Sequence, residues 1–87
     1  MADVRFNPPV EILFGKVGRV RNVKSIREAT ECLRSDKWPS RRGPMCEMAA
    51  KALVGARAGQ VTANEAREAF SDAALEARIL VPRDMPH

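Results

Sequence analysis

Pro8-Pro9-Val10-Glu11-Ile12-Leu13-Phe14, then Gly15-Lys16-Val17-Gly18, then Arg19-Val20-Arg21-Asn22-Val23, is the stretch that decides the fold class. Val10, Ile12 and Phe14 recur at the two-residue period of a strand. The two prolines before them cannot donate to a central ladder, so the first strand is expected to begin after Pro9. Gly15 and Gly18 supply a turn, and a partly β-branched alternation resumes beyond it. The reading is a β-hairpin. An isolated hairpin is marginal in water, so one of its faces needs helices to pack on.

Those helices follow directly. Ser25 with Glu28 three residues on is the signature of a capping box. Behind it Ile26, Ala29, Cys32 and Leu33 form one apolar stripe, with Arg27, Glu28, Glu31 and Arg34 on the outer side. The period dissolves at Ser35-Asp36-Lys37. Pro44 suits the first position of a second helix, where its missing N–H has no partner to lose, and this helix is expected to run to about Arg57. Its Met45, Cys46, Met48, Ala49, Ala50, Ala52, Leu53 and Val54 cover more than half the circumference, which predicts the most buried helix of the three. Gly55 and Gly59 bracket its fraying end. Thr62 with Glu65 is a second capping box, opening a third helix in which Ala66, Ala69, Phe70, Ala73, Ala74 and Ala77 follow at helical spacing through Arg78. Phe70 and Leu75 are the bulky residues expected on that alanine-rich face. Ile79-Leu80-Val81, closed by Pro82, is a short β-prone run that can return to the hairpin as a third strand. The fold class is α+β: an N-terminal β-hairpin packed on three α-helices, in the order ββααα.

Composition sets the bounds. With 87 residues, 45% hydrophobic and 30% charged, the chain reads as a single globular domain, 1–87, with an ordered core at about 9–81 and flexible tails at 1–7 and 82–87. A chain of this size buries only roughly 60–65% of its unfolded surface. No apolar run approaches the length of a membrane span, and the opening Met1-Ala2-Asp3-Val4-Arg5 lacks the order of a signal peptide, so the expected compartment is the cytoplasm. Cys32 and Cys46 are too far apart for a CxxC pair and read as buried thiols.

The net charge of +4 is unevenly placed: residues 1–44 carry ten Lys/Arg against five Asp/Glu, and residues 45–87 five against six. Lys16, Arg19, Arg21 and Lys24 form a run without an acid, a secondary basic patch able to attract nucleic acid or acidic protein surfaces. The third helix argues against DNA reading: Arg67 and Arg78 stand beside Glu65, Glu68, Asp72 and Glu76, and phosphates would repel it.

The segment Trp38-Pro39-Ser40-Arg41-Arg42-Gly43-Pro44 holds the only tryptophan. Its prolines stiffen the backbone between two helices. Arg41 and Arg42 precede a helix N-terminus, a place that favours phosphate or carboxylate. Trp38, Arg41, Arg42 and Gly43 are therefore the candidate binding residues, with Trp38 serving either as a core plug or as a platform.

The order Pro9-Val10, Gly18 with Arg21 and Val23, Ser25 with Glu28-Ala29, Trp38-Pro39 with Arg42-Gly43, and Ala66-Arg67-Ala69-Phe70 with Ala73-Ala74 and Glu76-Ala77 resembles the domain of unknown function 982 family. The resemblance spans Pro9 to Val81. It implies a small bacterial protein of one domain and brings no activity, substrate or cofactor with it. Arg78 stands where that pattern leads one to expect a glycine ending the third helix, which puts the turn into Ile79 in question.

No catalytic constellation is legible. The single histidine, His87, is the last residue; Glu28 with Glu31 and Glu65 with Glu68 fall on outer faces; Cys46, near a helix start, sits in an apolar run. No metal set or cofactor is expected. The sequence points to a non-catalytic binding or regulatory module contacting an acidic protein partner or anion through the Trp38–Pro44 loop. The alternative is weak, non-specific nucleic-acid binding by the hairpin.

Overall fold

The computed structural model describes residues 4–14, 19–35, 38 and 43–81. Strands β1 (Arg5–Leu13) and β2 (Val20–Ser25) pair antiparallel and are followed by helices α1 (Ile26–Arg34), α2 (Pro44–Arg57) and α3 (Ala63–Glu76). This is the predicted α+β order, and one cluster of buried side chains joins all five elements.

β1 begins earlier than the prolines suggest. Phe6, which falls in the tail expected at 1–7, is buried in the core. Arg5 pairs with Ser25 and Val10 with Val23, so Phe6 to Pro9 bulge opposite Lys24 alone. In that irregular segment no ladder hydrogen bond is asked of Pro8 or Pro9, which is why a strand can pass through them. The Pro8 carbonyl is instead met by a side chain: Arg67 Nε of α3 donates to it at 2.6 Å. From Val10 onward the alternation is regular, with Val10, Ile12 and Val23 buried while Leu13 faces Val20 on the exposed side.

On its other edge β1 meets the end of the domain. The Leu13 N–H donates to the Ile79 carbonyl at 2.7 Å and the Val81 N–H to the Glu11 carbonyl at 2.9 Å, around an antiparallel bridge between Ile12 and Leu80. The run Ile79-Leu80-Val81 does return to the hairpin, as one bridge rather than a full strand.

α1 buries the predicted stripe, Ile26, Ala29, Cys32 and Leu33. Its cap is displaced by one residue. The Ser25 hydroxyl accepts the Glu28 N–H at 3.2 Å, but the Glu28 carboxylate takes the N–H of Lys24 at 3.0 Å instead of that of Ser25. Ser25 is still a strand residue, paired with Arg5.

α2 runs over the expected residues but leaves part of its apolar arc uncovered. It packs most extensively on α3 and more lightly on α1, burying Cys46, Ala49, Leu53, Gly55 and Ala56. α2 buries five residues, against four in α1 and four in α3, yet Met48 is 57% and Val54 68% exposed: its apolar arc is wider than its neighbours can cover. Gly55 does not loosen the helix end. A Cβ there would come within 2.7 Å of Val61 Cγ2, so the missing side chain lets the following turn close down on α2.

α3 has the complete capping box, with the Thr62 and Glu65 N–H groups each held at 3.1 Å by the other's side chain. Phe70 is fully buried. Leu75, expected beside it, is 62% exposed; five residues on is about 140° around the helix.

Both α2 and α3 stop in the same way. The Gln60 N–H reaches the Gly55 carbonyl at 2.8 Å and the Gly59 N–H that of Ala56 at 3.1 Å; the Ile79 and Arg78 N–H groups reach Ala74 and Leu75 at 2.9 and 3.0 Å. This two-bond stop needs a left-handed residue, supplied by Gly59 at φ 81° and by Arg78 at φ 64°. The turn into Ile79 therefore forms without glycine, against the steric cost of a Cβ in that region. Arg78→Gly should stabilise the fold by about 1 kcal/mol and raise Tm by roughly 4–8 °C, whereas Gly59→Ala should lose a similar amount. Thermal melts decide it, and an unchanged or lower Tm for Arg78→Gly would show that the turn carries no such strain.

Candidate functional site

The chain enters the Trp38–Pro44 segment through a buried residue. Trp38 is 3% exposed, its ring centroid is 5.6 Å from that of Phe70 at 47°, and its N–H donates to the Ser35 carbonyl at 3.1 Å. The indole is a core plug, not a platform. The segment leaves through Gly43, the extended N-cap of α2 at φ −94°, ψ −175°. A Cβ on Gly43 would lie 2.5 Å from the carboxyl carbon and both oxygens of Glu76, the last residue of α3. That carboxylate is the end of an exposed, flexible side chain and could swing aside for a larger residue. A negative charge thus already stands at the positive end of α2, where the sequence predicts an external anion. Arg41 and Arg42 lie outside the described residues.

The basic run of the hairpin is divided. Lys16 lies outside the described residues. Arg19 is exposed. Arg21 is half-buried: its guanidinium carbon stands 5.7 Å from the Phe14 ring centroid, and Nη2 is 3.8 Å from Glu31 Oε1. Lys24 is exposed and has the opposite strand parity to Arg19 and Arg21, so it points to the other side of the sheet.

The paired carboxylates have structural partners. Glu31 also meets Arg27 at 3.5 Å, Glu28 holds the Lys24 N–H, Glu65 caps α3, and Glu68 accepts from the Asn64 amide at 3.3 Å. Both cysteines are free and buried. Burial pushes the Cys32 thiol up from 9.0 to about 11 despite the opposing pull of Arg21, with Glu28 and Glu31 adding to the rise. It stays protonated at neutral pH and is no nucleophile in the folded protein. Among the described residues no group of three or more His, Cys, Asp or Glu could hold a metal ion, and no helix is long and apolar enough to cross a membrane.

The sequence reading missed two features. One is Glu76, which nothing in the chain links to Gly43, 33 positions earlier. The other is a mainly apolar groove of about 260 Å³ between α1 and α2, with Leu33 and Leu53 at its base, Ala50 and Val54 along one wall, and Arg34 and Arg57 at its rim. The excess apolar width of α2 was its signal, read as deeper burial.

A hairpin carried on three helices defines a small α+β domain. The family model described as "Protein of unknown function (DUF982)" matches residues 8–81, and the chain belongs to that family. No curated protein and no solved structure matches it.

Proposed function

We propose that this protein is a non-catalytic binding or regulatory module of the bacterial cytoplasm that engages an acidic protein partner through Arg41 and Arg42. The observation that supports this reading is the anchoring of both flanks of the loop. Trp38 is fixed in the core against Phe70, and Gly43 is held as the N-cap of α2, its carbonyl accepting from the Cys46 N–H. Arg41 and Arg42 lie in sequence between these two fixed points, three and four residues after Trp38, and guanidinium groups can grip carboxylates in bidentate fashion. The carboxylate of Glu76 favours a partner protein over a small anion seated on the helix end, because it already complements the dipole there. Nucleic-acid binding by the hairpin is less favoured, since Arg21 is engaged by Glu31 and Phe14 and Lys24 points away from it.

Arg41→Ala combined with Arg42→Ala should leave Tm within a few degrees of the parent if the two charges serve a partner and not the fold, where surface ion pairs contribute roughly 0–1 kcal/mol each. The same variant should fail to retrieve the partner that the native protein captures from lysate. The competing role is structural, with the arginines holding the loop against Glu76. In that case the double variant melts several degrees lower, Glu76→Gln does the same, the losses are non-additive, and the partner is retained.

A further inference from the structure

We infer that the groove between α1 and α2 is a docking site for an acidic amphipathic helix of another protein, a site separate from the Trp38–Pro44 loop. The floor is built from Leu33 and Leu53, which are almost fully buried, and the wall from Ala50 and Val54, which are exposed, with Val54 at 68%. Ala50, Val54 and Arg57 fall four and three residues apart, so they run as one row along α2. At about 260 Å³, the groove is smaller than the roughly 300–1,000 Å³ that a drug-sized ligand needs. It has instead the form used by helix-in-groove recognition, where a few apolar anchors of a partner helix lie between two host helices.

Charge selects the kind of helix. Arg34 and Arg57 stand on opposite helices across the groove, each in the last turn of its own, and neither forms an ion pair with a described residue. An apolar strip between two guanidinium groups is complementary to a helix with an aliphatic face flanked by Asp or Glu. The same charges argue against a second copy of this chain: a two-fold contact through the groove would bring the arginines of both copies together, in a protein of net charge +4. The groove lies toward the far end of a 14-residue helix, so its rim at Arg57 is about 20 Å from Gly43. The inference does not depend on the role of Arg41 and Arg42.

The test uses the full chain and a panel of fluorescein-labelled peptides of about five helical turns. Each carries Leu at i, i+3, i+4 and i+7 with Glu flanking that face, in several registers, beside scrambled peptides of the same composition. Anisotropy should show at least one amphipathic member binding and the scrambled ones not. Val54→Glu, and separately Arg34→Glu with Arg57→Glu, should weaken it at least tenfold with little change in Tm. Met48→Glu, an equally exposed site about 120° around α2 from Val54, should leave binding near the parent value, and so should Arg41→Ala with Arg42→Ala. Several results overturn the inference: no binding by any register, equal binding of scrambled peptides, groove variants that bind like the parent, or an equal loss with Met48→Glu. A dimer of the parent that Val54→Glu dissolves in sedimentation would assign the groove to a second copy. Preference for decanoate over every peptide would assign it to a small amphiphile, and either outcome removes the partner helix.

Discussion

Phe70→Ala is expected to cost about 3–5 kcal/mol and to lower Tm by roughly 15–30 °C. The ring is fully buried, with centroids 6.3 Å from Phe6 and 5.6 Å from Trp38. It joins β1, the segment after α1, and α3. Those three pieces are held by different parts of the chain and cannot collapse together onto a small alanine, so most of the cavity remains. A domain of this size has a margin of roughly 4–13 kcal/mol, and the variant spends a large share of it. Denaturant titration followed by far-UV circular dichroism measures the loss. A cost below about 1 kcal/mol would mean that Phe70 does not fill the centre of the core.

Trp38→Ala is expected to lose a similar amount, about 3–5 kcal/mol, and it separates structure from recognition. At 3% exposure the indole has almost no surface to offer a partner. As the only tryptophan, it also reports on itself: emission from the folded parent should be blue-shifted and move to the red on unfolding. Combined with Phe70→Ala, the loss should fall short of the sum by about 0.5–1.5 kcal/mol, the part owed to the two rings meeting. An unchanged Tm with loss of a captured partner would instead place Trp38 on a working surface.

What the sequence makes legible is what neighbouring residues decide among themselves. The apolar stripe of α1 and the Thr62–Glu65 cap depend on residues three or four apart, and the structure has both. The start of β1 was hidden because a proline forbids only a ladder bond, and whether a ladder bond is required depends on the bulge opposite Lys24. The exposure of Met48 and Val54 on α2 was hidden for a similar reason: width of apolar arc is local, but coverage is set by where α1 and α3 lie. Gly43 was singled out as a binding residue; what the structure places beside it is the carboxylate of Glu76, far along the chain. Arg78 adopts the backbone expected of glycine because the two hydrogen bonds at the end of α3 and the pairing of residues 79–81 with β1 hold it there.

That last pairing has a consequence for synthesis. β1 leaves the ribosome first among the structural elements, but one of its edges is completed only by Ile79 and Val81. At roughly 5–20 residues per second, the interval between Leu13 and Ile79 is about 3–13 s. Helices form in roughly a microsecond and a hairpin in about ten, so both are ready long before the closing segment exists. For those seconds the nascent chain presents an open strand edge beside its apolar face, a template for pairing with other chains. The speed of translation, and not the speed of any folding step, sets how long that exposure lasts.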